Sequence, residues 1–382
     1  MKKKLKILVL DIEGGHGGSS KSIYYSIKNS DSDLVDVEVW FKKAGQAEVW
    51  YRSINKKFSI QKNMTRINSY SKFHINIFEM IKYFFNFYWS NGFRKKLISE
   101  SEKFDVIHLN HYSLAHLASK IKPKINIPIV MHSRVMLYDN FFSRWQCKLI
   151  SKSVDRLVFI SENEKENFKK IGCTVDGDVI YNISEIPKEK IKLDENLVLE
   201  NRFKVACLAN FAYVRGVDRL VDIAKFFKQN NIKNIVFVVV GENKISRNFS
   251  LKDLANQHKV EKYFIFKGYS VNPENILASC NALIRPSREN NPWGRDILEA
   301  MALELPVISF GHYNTFVENN VTGFLNKEFT ISETAENLIQ LSKNPTLCAQ
   351  LGKEGKKRIQ TLCDGKKQSA RLVQVWQNII ST

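Results

Sequence analysis

The sequence predicts an α/β chain of two Rossmann-like domains, each a doubly wound parallel sheet, facing across a cleft. Three observations predict it. Short apolar runs alternate with longer stretches of helical periodicity along the whole chain. The run VFVVV at 236–240 is continuously apolar and β-branched, as expected of a strand covered by helices on both faces. Near 184–200 the chain turns polar and charged (SEIPKEKIKLDENL), which divides ten strand candidates into two groups.

In chain order, strands are expected at 6–10, 35–40, 106–109, 127–131 and 156–160, then at 204–208, 235–240, 263–266, 282–284 and 307–309. The first follows a basic start and so imitates a signal peptide. Its apolar run stops at Asp11, short of the roughly 7–15 apolar residues such a segment needs. EGGHGGSS at 13–20 then opens a helix, with Ser19 or Ser20 as the expected N-cap. Asp31-Ser-Asp33 precedes the second strand and reads as a turn. With 184–200 as a linker, the domains run over 1–185 and 200–362, and 363–382 forms a carboxy-terminal segment with a helix near 368–380.

Of 382 residues, 44% are hydrophobic and 25% charged, which excludes global disorder. No run of about 18 apolar residues occurs, so no membrane-spanning helix is expected. Six cysteines without a C-x-x-C pair argue against a disulfide scaffold or a structural zinc site, and reduced thiols in a cytosolic protein are expected. The unusual feature is charge. Fifty-eight Lys and Arg against 39 Asp and Glu give +19, which calls for an anionic partner: nucleic acid, an acidic membrane surface or a phosphorylated ligand.

Loops after strands are where an open sheet binds its ligand. The most informative lies in RPSRENNPWGRDILEAMA at 285–302, where a strand ends, a Pro/Asn/Gly loop follows and a helix begins near Arg295. Unpaired N–H groups at that helix start favour an anion. Gly294 lets backbone approach a ligand, and Glu299, one turn in, offers a carboxylate to two ribose hydroxyls. The alternative is an ordinary i,i+4 ion pair between Arg295 and Glu299.

This run, continuing to PVIS at 306–309, resembles the signature of retaining glycosyltransferases of the GT-B fold, specifically glycosyltransferase family 4 (glycosyl transferases group 1). The resemblance implies that Glu299 grips the nucleotide ribose. Where the family carries its sugar-contacting glutamate this chain has Asn291, so either Asn291 makes that contact or Glu289 reaches in. A glycine of the family is replaced by Glu304, at a cost of about 1 kcal/mol if the backbone there is left-handed. NFAYVRGVD at 210–218 resembles the pyrophosphate-binding loop. Arg215 takes the place of its lysine and Asn210 that of its arginine, so one phosphate cation is missing and Arg288 or Arg295 would compensate. Gly14 and Gly15 resemble the glycine-rich first loop that closes on the donor phosphate, and His132 the histidine that approaches the donor sugar. His108 or His111 lines the acceptor side, and no metal site is implied. VIYN at 179–182 and TGFL at 322–325 extend the match. The family further implies an amino-terminal acceptor domain, a carboxy-terminal nucleotide-sugar domain and a last helix that crosses back to the first.

Residues 51–100 hold ten Lys and Arg against two Glu, and within 72–96 the cations interleave with aromatics. The readings are an amphipathic surface on anionic lipid, a core helix with solvated lysines, or a single-strand nucleic-acid groove. The expectation is a metal-independent hexosyltransferase with no cofactor beyond a UDP- or GDP-linked sugar. Its acceptor is a saccharide or polyprenyl-linked saccharide of bacterial surface polysaccharide synthesis. It sits in the cytoplasm against the inner membrane face through residues 72–96, without nucleic acid. The rivals are a UDP-sugar 2-epimerase of the same fold and a catalytically impaired membrane- or RNA-binding protein.

Overall fold

The computed structural model describes residues 4–381 except 16, 68–76, 186–190, 209–212, 242–243 and 247–248. The chain forms two units, Met1–Ile183 with Cys363–Thr382, and Ser184–Leu362.

The first unit is built on seven parallel strands: β1 (Leu5–Asp11), β2 (Val35–Phe41), β3 (Lys57–Ile60), β4 (Val106–Leu109), β5 (Ile129–Ser133), β6 (Arg156–Phe159) and β7 (Gly177–Val179). Their order is β3-β2-β1-β4-β5-β6-β7. The first strand shows why both faces are covered. Ile7 and Val9 enter one core with Val37, Val39 and Trp376 of the carboxy-terminal helix Gly365–Ser381, whereas Leu8 and Leu10 enter another with Leu109 and Met131. Side chains that alternate at period two thus fill two cores, each buried side chain contributing about 1.5–3 kcal/mol.

The second unit carries β8 (Phe203–Leu208), β9 (Ile235–Val240), a hairpin of β10 (Lys244–Ser246) and β11 (Phe249–Ser250), then β12 (Phe264–Gly268), β13 (Ala282–Arg285), β14 (Val307–Phe310) and β15 (Gly323–Asn326). Outside the hairpin the strands form one parallel sheet, β12-β9-β8-β13-β14-β15. All six residues of β9 are buried.

Each sheet reverses its winding beside its first strand, between β1 and β4 and between β8 and β13. The carboxyl ends of those pairs are where crevices open in such sheets. The Gly14-Gly15 loop and Asn110 sit at the first, and the loops that begin after Leu208 and Arg285 at the second.

The structure differs from the sequence reading in several places. β3 and β7 were not expected, because both are short edge strands with no apolar run of their own (KFSI and GDV). Residues 191–200, read as linker, are held on the second unit. Leu197 is fully buried, and Asp194 takes an ion pair from Lys267 at 2.8 Å. Neither Ser19 nor Ser20 caps the helix Gly18–Lys28, whose N-cap is Gly17. Ser19 and Ser20 already lie inside that helix, and their hydroxyls donate to Glu13 of the loop and to Asp11 at the end of β1. Asp33 N–H donates to Asp31 Oδ1 at 2.8 Å, the turn expected there. Glu304 lies at φ 61°, the left-handed backbone that favours glycine. Lys356 reaches its carboxylate at 2.6 Å.

Candidate functional site

In the second unit, two loops at the switch point are stitched together. Arg288 N–H donates to the Val214 carbonyl at 2.8 Å, and the Ser287 hydroxyl to the same carbonyl at 3.2 Å. Gly216 is left-handed at φ 66°, and a Cβ there would lie 1.9 Å from the Pro286 carbonyl, so only glycine lets the loops meet. Arg215, half-exposed, comes within 3.9 Å of Glu289. Asn210 lies outside the described residues.

Arg288, one of the two compensating cations expected, already has a carboxylate partner. It holds Asp218 through two bonds of 2.8 and 2.6 Å and stacks on Tyr213 at 4.0 Å. Arg295 likewise holds Glu299, with Nε and Nη2 at 3.2 and 3.1 Å from Oε1, so the i,i+4 pair forms. Glu299 is nonetheless buried, 5% exposed, at the start of the helix Arg295–Ala302, and the guanidinium fixes its orientation. Asn291 is buried at 8% exposure on the intervening loop.

The sequence reading missed the strut beneath this loop. Arg285, the last residue of β13, pairs with Asp296 at 2.7 and 2.8 Å, their side chains 10% and 11% exposed. A Cβ at Gly294 would lie 2.6 Å from Asp296 Oδ1 and 2.7 Å from Arg285 Nη1. The glycine therefore clears room for a buried ion pair, a need invisible in local spacing. Beside the loop lies a pocket of about 370 Å³ whose lining includes Arg219, Asn290, His312 and Lys327.

In the first unit, Asp11 organises the switch point. Its carboxylate accepts from Gly14 N–H (3.2 Å), Ser20 and Asn110 Nδ2 (3.1 Å). Gly14 and Gly15 are left-handed at φ 60° and 96°, and a Cβ at Gly14 would lie 1.9 Å from the Lys43 carbonyl. Asn110 Oδ1 accepts from Arg134 Nε and Nη2 at 3.2 and 3.0 Å, while Arg134 Nη1 donates to Asn182 Oδ1 at 2.6 Å. Arg134, two residues past His132, had no motif to mark it.

His132 and His108 sit side by side at the ends of β5 and β4, 2% and 0% exposed. His108 therefore lines no open surface; it is an internal link. Trp376 Nε1 donates to His108 Nδ1 at 3.0 Å, and His108 Nε2 lies 3.2 Å from His132 Nδ1. An indole can only donate, so His108 carries its proton on Nε2 and donates to His132 Nδ1. Arg134 Nη2, also only a donor, lies 3.3 Å from that same nitrogen. His132 thus holds its proton on Nε2, a buried N–H without a hydrogen-bond partner among the described residues. Burial and the Arg134 charge push the pKa of both rings down, His108 to about 3, so both are neutral at pH 7.

In the aromatic-basic block, residues 72–76 lie outside the described ones. Within the helix Ile77–Trp89, Tyr83 is buried, while Ile81, Phe84, Phe85, Tyr88 and Trp89 are 47%, 49%, 63%, 77% and 76% exposed. Their spacing places these five on one helical face. The core-helix reading therefore accounts for only part of the block. Among the described residues, no helix is long and apolar enough to cross a membrane.

Residues 188–358 match the family Glycosyl transferases group 1, and residues 61–183 match Glycosyltransferase Family 4. A Staphylococcus aureus (strain COL) poly(ribitol-phosphate) alpha-N-acetylglucosaminyltransferase is 23% identical over 183 residues, 47% of this chain and 35% of that protein. The S. aureus capsular polysaccharide biosynthesis glycosyltransferase CapM is 22% identical over 215 residues, 55% of this chain and 56% of that one. The chain thus spans between 35% and 56% of the length of these two curated relatives. Among solved structures, Anabaena HepE in complex with UDP-glucose superposes with a TM-score of 0.79 at 18% identity, covering 98% of this chain and 100% of that one. Sucrose-phosphate synthase from Thermosynechococcus elongatus gives 0.75 at 14% identity over 99% and 100%. At such identities the likeness shows the fold, which is GT-B.

Proposed function

Because the chain joins a Glycosyltransferase Family 4 half to a Glycosyl transferases group 1 half in a GT-B fold, we propose that it transfers a sugar from a nucleotide-sugar to a saccharide or lipid-linked saccharide. The observation that carries this reading is the placement of Arg215, in the loop after β8, and of the buried Glu299, in the helix after β13, at the switch point of the second sheet, where such sheets take nucleotides. Glu299, oriented by Arg295, accepts the ribose hydroxyls. Arg215 and the N–H groups at the start of the helix Arg295–Ala302 meet the pyrophosphate. Asn291 or Glu289 contacts the sugar, and the 3.9 Å approach of Glu289 to Arg215 supports the asparagine in that role. The donor is UDP- or GDP-linked; HepE, bound to UDP-glucose, favours the former.

Transfer proceeds without a metal and with retention. The bond from the anomeric carbon to the phosphate oxygen breaks, and its electrons leave on the pyrophosphate. The acceptor hydroxyl adds from the same face and gives its proton to that leaving oxygen. Catalysis is positioning and electrostatics, with His132 Nε2–H donating to a substrate oxygen. The curated relatives' names support a place in surface polysaccharide synthesis.

Glu299→Ala should weaken UDP-sugar binding by about tenfold to a hundredfold, the loss of charge-assisted hydrogen bonds. Calorimetry with UDP- and GDP-sugars checks this, alongside nucleotide release with a lipid-linked acceptor. Unchanged affinity together with no turnover would sink the transferase reading, and epimerisation of free UDP-sugar would replace it.

The exposed stripe supports peripheral docking on anionic lipid from the cytoplasmic side. Phe84→Ser with Phe85→Ser should move the chain from the floating to the pelleted fraction with phosphatidylglycerol vesicles. Equal flotation of both forms would end that part of the proposal.

A further inference from the structure

Beyond the switch-point residues, the first unit holds a pocket of about 340 Å³ that no role described so far uses. It opens past the carboxyl ends of β2 and β3, on the same edge of the sheet as Gly14 and His132. Its lining brings together Lys42, Lys62 and Arg66 with Thr65, Tyr83 and Trp89, and contains no carboxylate among the described residues.

Four observations make it a site for an anion. Lys42 Nζ is drawn inward by the carbonyls of Lys62 and Met64, and burial and then the Arg66 charge lower its pKa. Neither Lys62 nor Arg66 has an ion-pair partner among the described residues, although the chain elsewhere pairs Arg156, Arg202, Arg285 and Arg288 with carboxylates. Thr65, 7% exposed, lines the pocket with a buried hydroxyl that has no hydrogen-bond partner among the described residues. Like charges gathered without counter-charge among the described residues, beside an unsatisfied buried hydroxyl, are stabilised by a ligand with several acceptor oxygens. The fourth observation concerns what the ligand is attached to: Trp89 belongs both to this pocket and to the exposed apolar stripe.

We propose that this pocket binds the phosphate or diphosphate of the acceptor, next to the surface that takes its lipid. The proposal rests on the transferase reading above and names its acceptor class: a phosphate-bearing acceptor, gripped through charge by Lys62, Arg66 and Lys42 and through a hydroxyl donor by Thr65. The phosphate is either a lipid headgroup or part of a phosphodiester polymer, and both present the same oxygens.

The test is calorimetric binding to the full chain of farnesyl diphosphate, farnesol, inorganic pyrophosphate and a glycerol-phosphate oligomer. It is repeated for Lys62→Gln with Arg66→Gln and for Thr65→Val, with UDP-glucose titrated in parallel. Farnesyl diphosphate should bind about tenfold or more tightly than farnesol, and the Lys62/Arg66 variant should lose that advantage. Thr65→Val should weaken binding by a smaller factor. Both substituted basic side chains reach solvent, so the thermal midpoint should stay unchanged. Tighter binding of the glycerol-phosphate oligomer than of farnesyl diphosphate supports the pocket and assigns the phosphate to a polymer. Equal affinity for farnesol and farnesyl diphosphate, or no effect of the basic substitutions, overturns the proposal. The UDP-glucose arm separates failures: lost donor binding with intact phosphate binding counts against the transferase reading alone.

Discussion

Trp376→Phe should slow sugar transfer by about a hundredfold, the size of losing one aligned donor at a reacting centre, while leaving the acceptor KM nearly unchanged. The substitution removes the indole N–H together with part of a fully buried ring, so its cost in packing has to be separated from the lost donor. Trp376 is buried and donates to His108 Nδ1, which forces the His108 proton to Nε2 and, through the 3.2 Å contact, the His132 proton to its outward nitrogen. With phenylalanine only the 3.3 Å contact from Arg134 Nη2 still favours the outward proton, and His132 Nε2 becomes an acceptor in part of the population. A merely structural role would not move that proton, so nitrogen chemical shifts of labelled His132 are the decisive readout. Leu372→Ala, another buried position of the same helix, serves as a control for destabilisation alone. A fall in kcat with the His132 tautomer unchanged would refute the relay, as would an unchanged kcat.

The second large effect is on stability in acid. His108, His116 and His132 are 0%, 7% and 2% exposed, and burial is the first cause of the lowered pKa of each. Positive neighbours add to it: Arg134 for His108 and His132, Lys120 and Arg94 for His116. His108 falls to about 3 and His116 to about 4. In the folded state these rings stay neutral where the unfolded chain takes up protons, near pH 6.5. The stability they contribute is present above that pH and is lost as pH falls towards the folded values. At pH 5.5 each costs on the order of 1 kcal/mol, so the three together remove a few kcal/mol from the first unit. Urea denaturation between pH 7 and 5.5, following the unit that contains Trp376, should show this fall. A flat profile over that window would mean the rings are hydrated and protonated in the native state.

Much of the fold was legible because alternation and β-branching report burial directly. All ten expected strands formed, with ends shifted by at most two residues. The two edge strands β3 and β7 escaped because an edge strand borrows its register from a neighbour and needs no apolar run. In the candidate site, positions set by a local turn were readable: the left-handed glycines at 14, 15 and 216, and the strand–loop–helix step that carries Glu299. Assignments that depended on a partner were not. Ser19 and Ser20 serve carboxylates, Arg288 serves Asp218, and Gly294 makes room for Arg285 and Asp296.

The sequence by itself determined the two doubly wound sheets and the loops after strands that carry the candidate residues, because helix and strand periodicities are properties of neighbouring residues. The tertiary structure alone decided which side chains meet across that sequence. Trp376 bonds a histidine 268 positions away, Arg134 joins Asn110 to Asn182, and the cations after β2 and β3 gather around Thr65 with no carboxylate among the described residues there. Such pairings are set by packing distant elements into one core, where a buried polar group takes whichever partner lies within about 3 Å. No local pattern records which partner that will be.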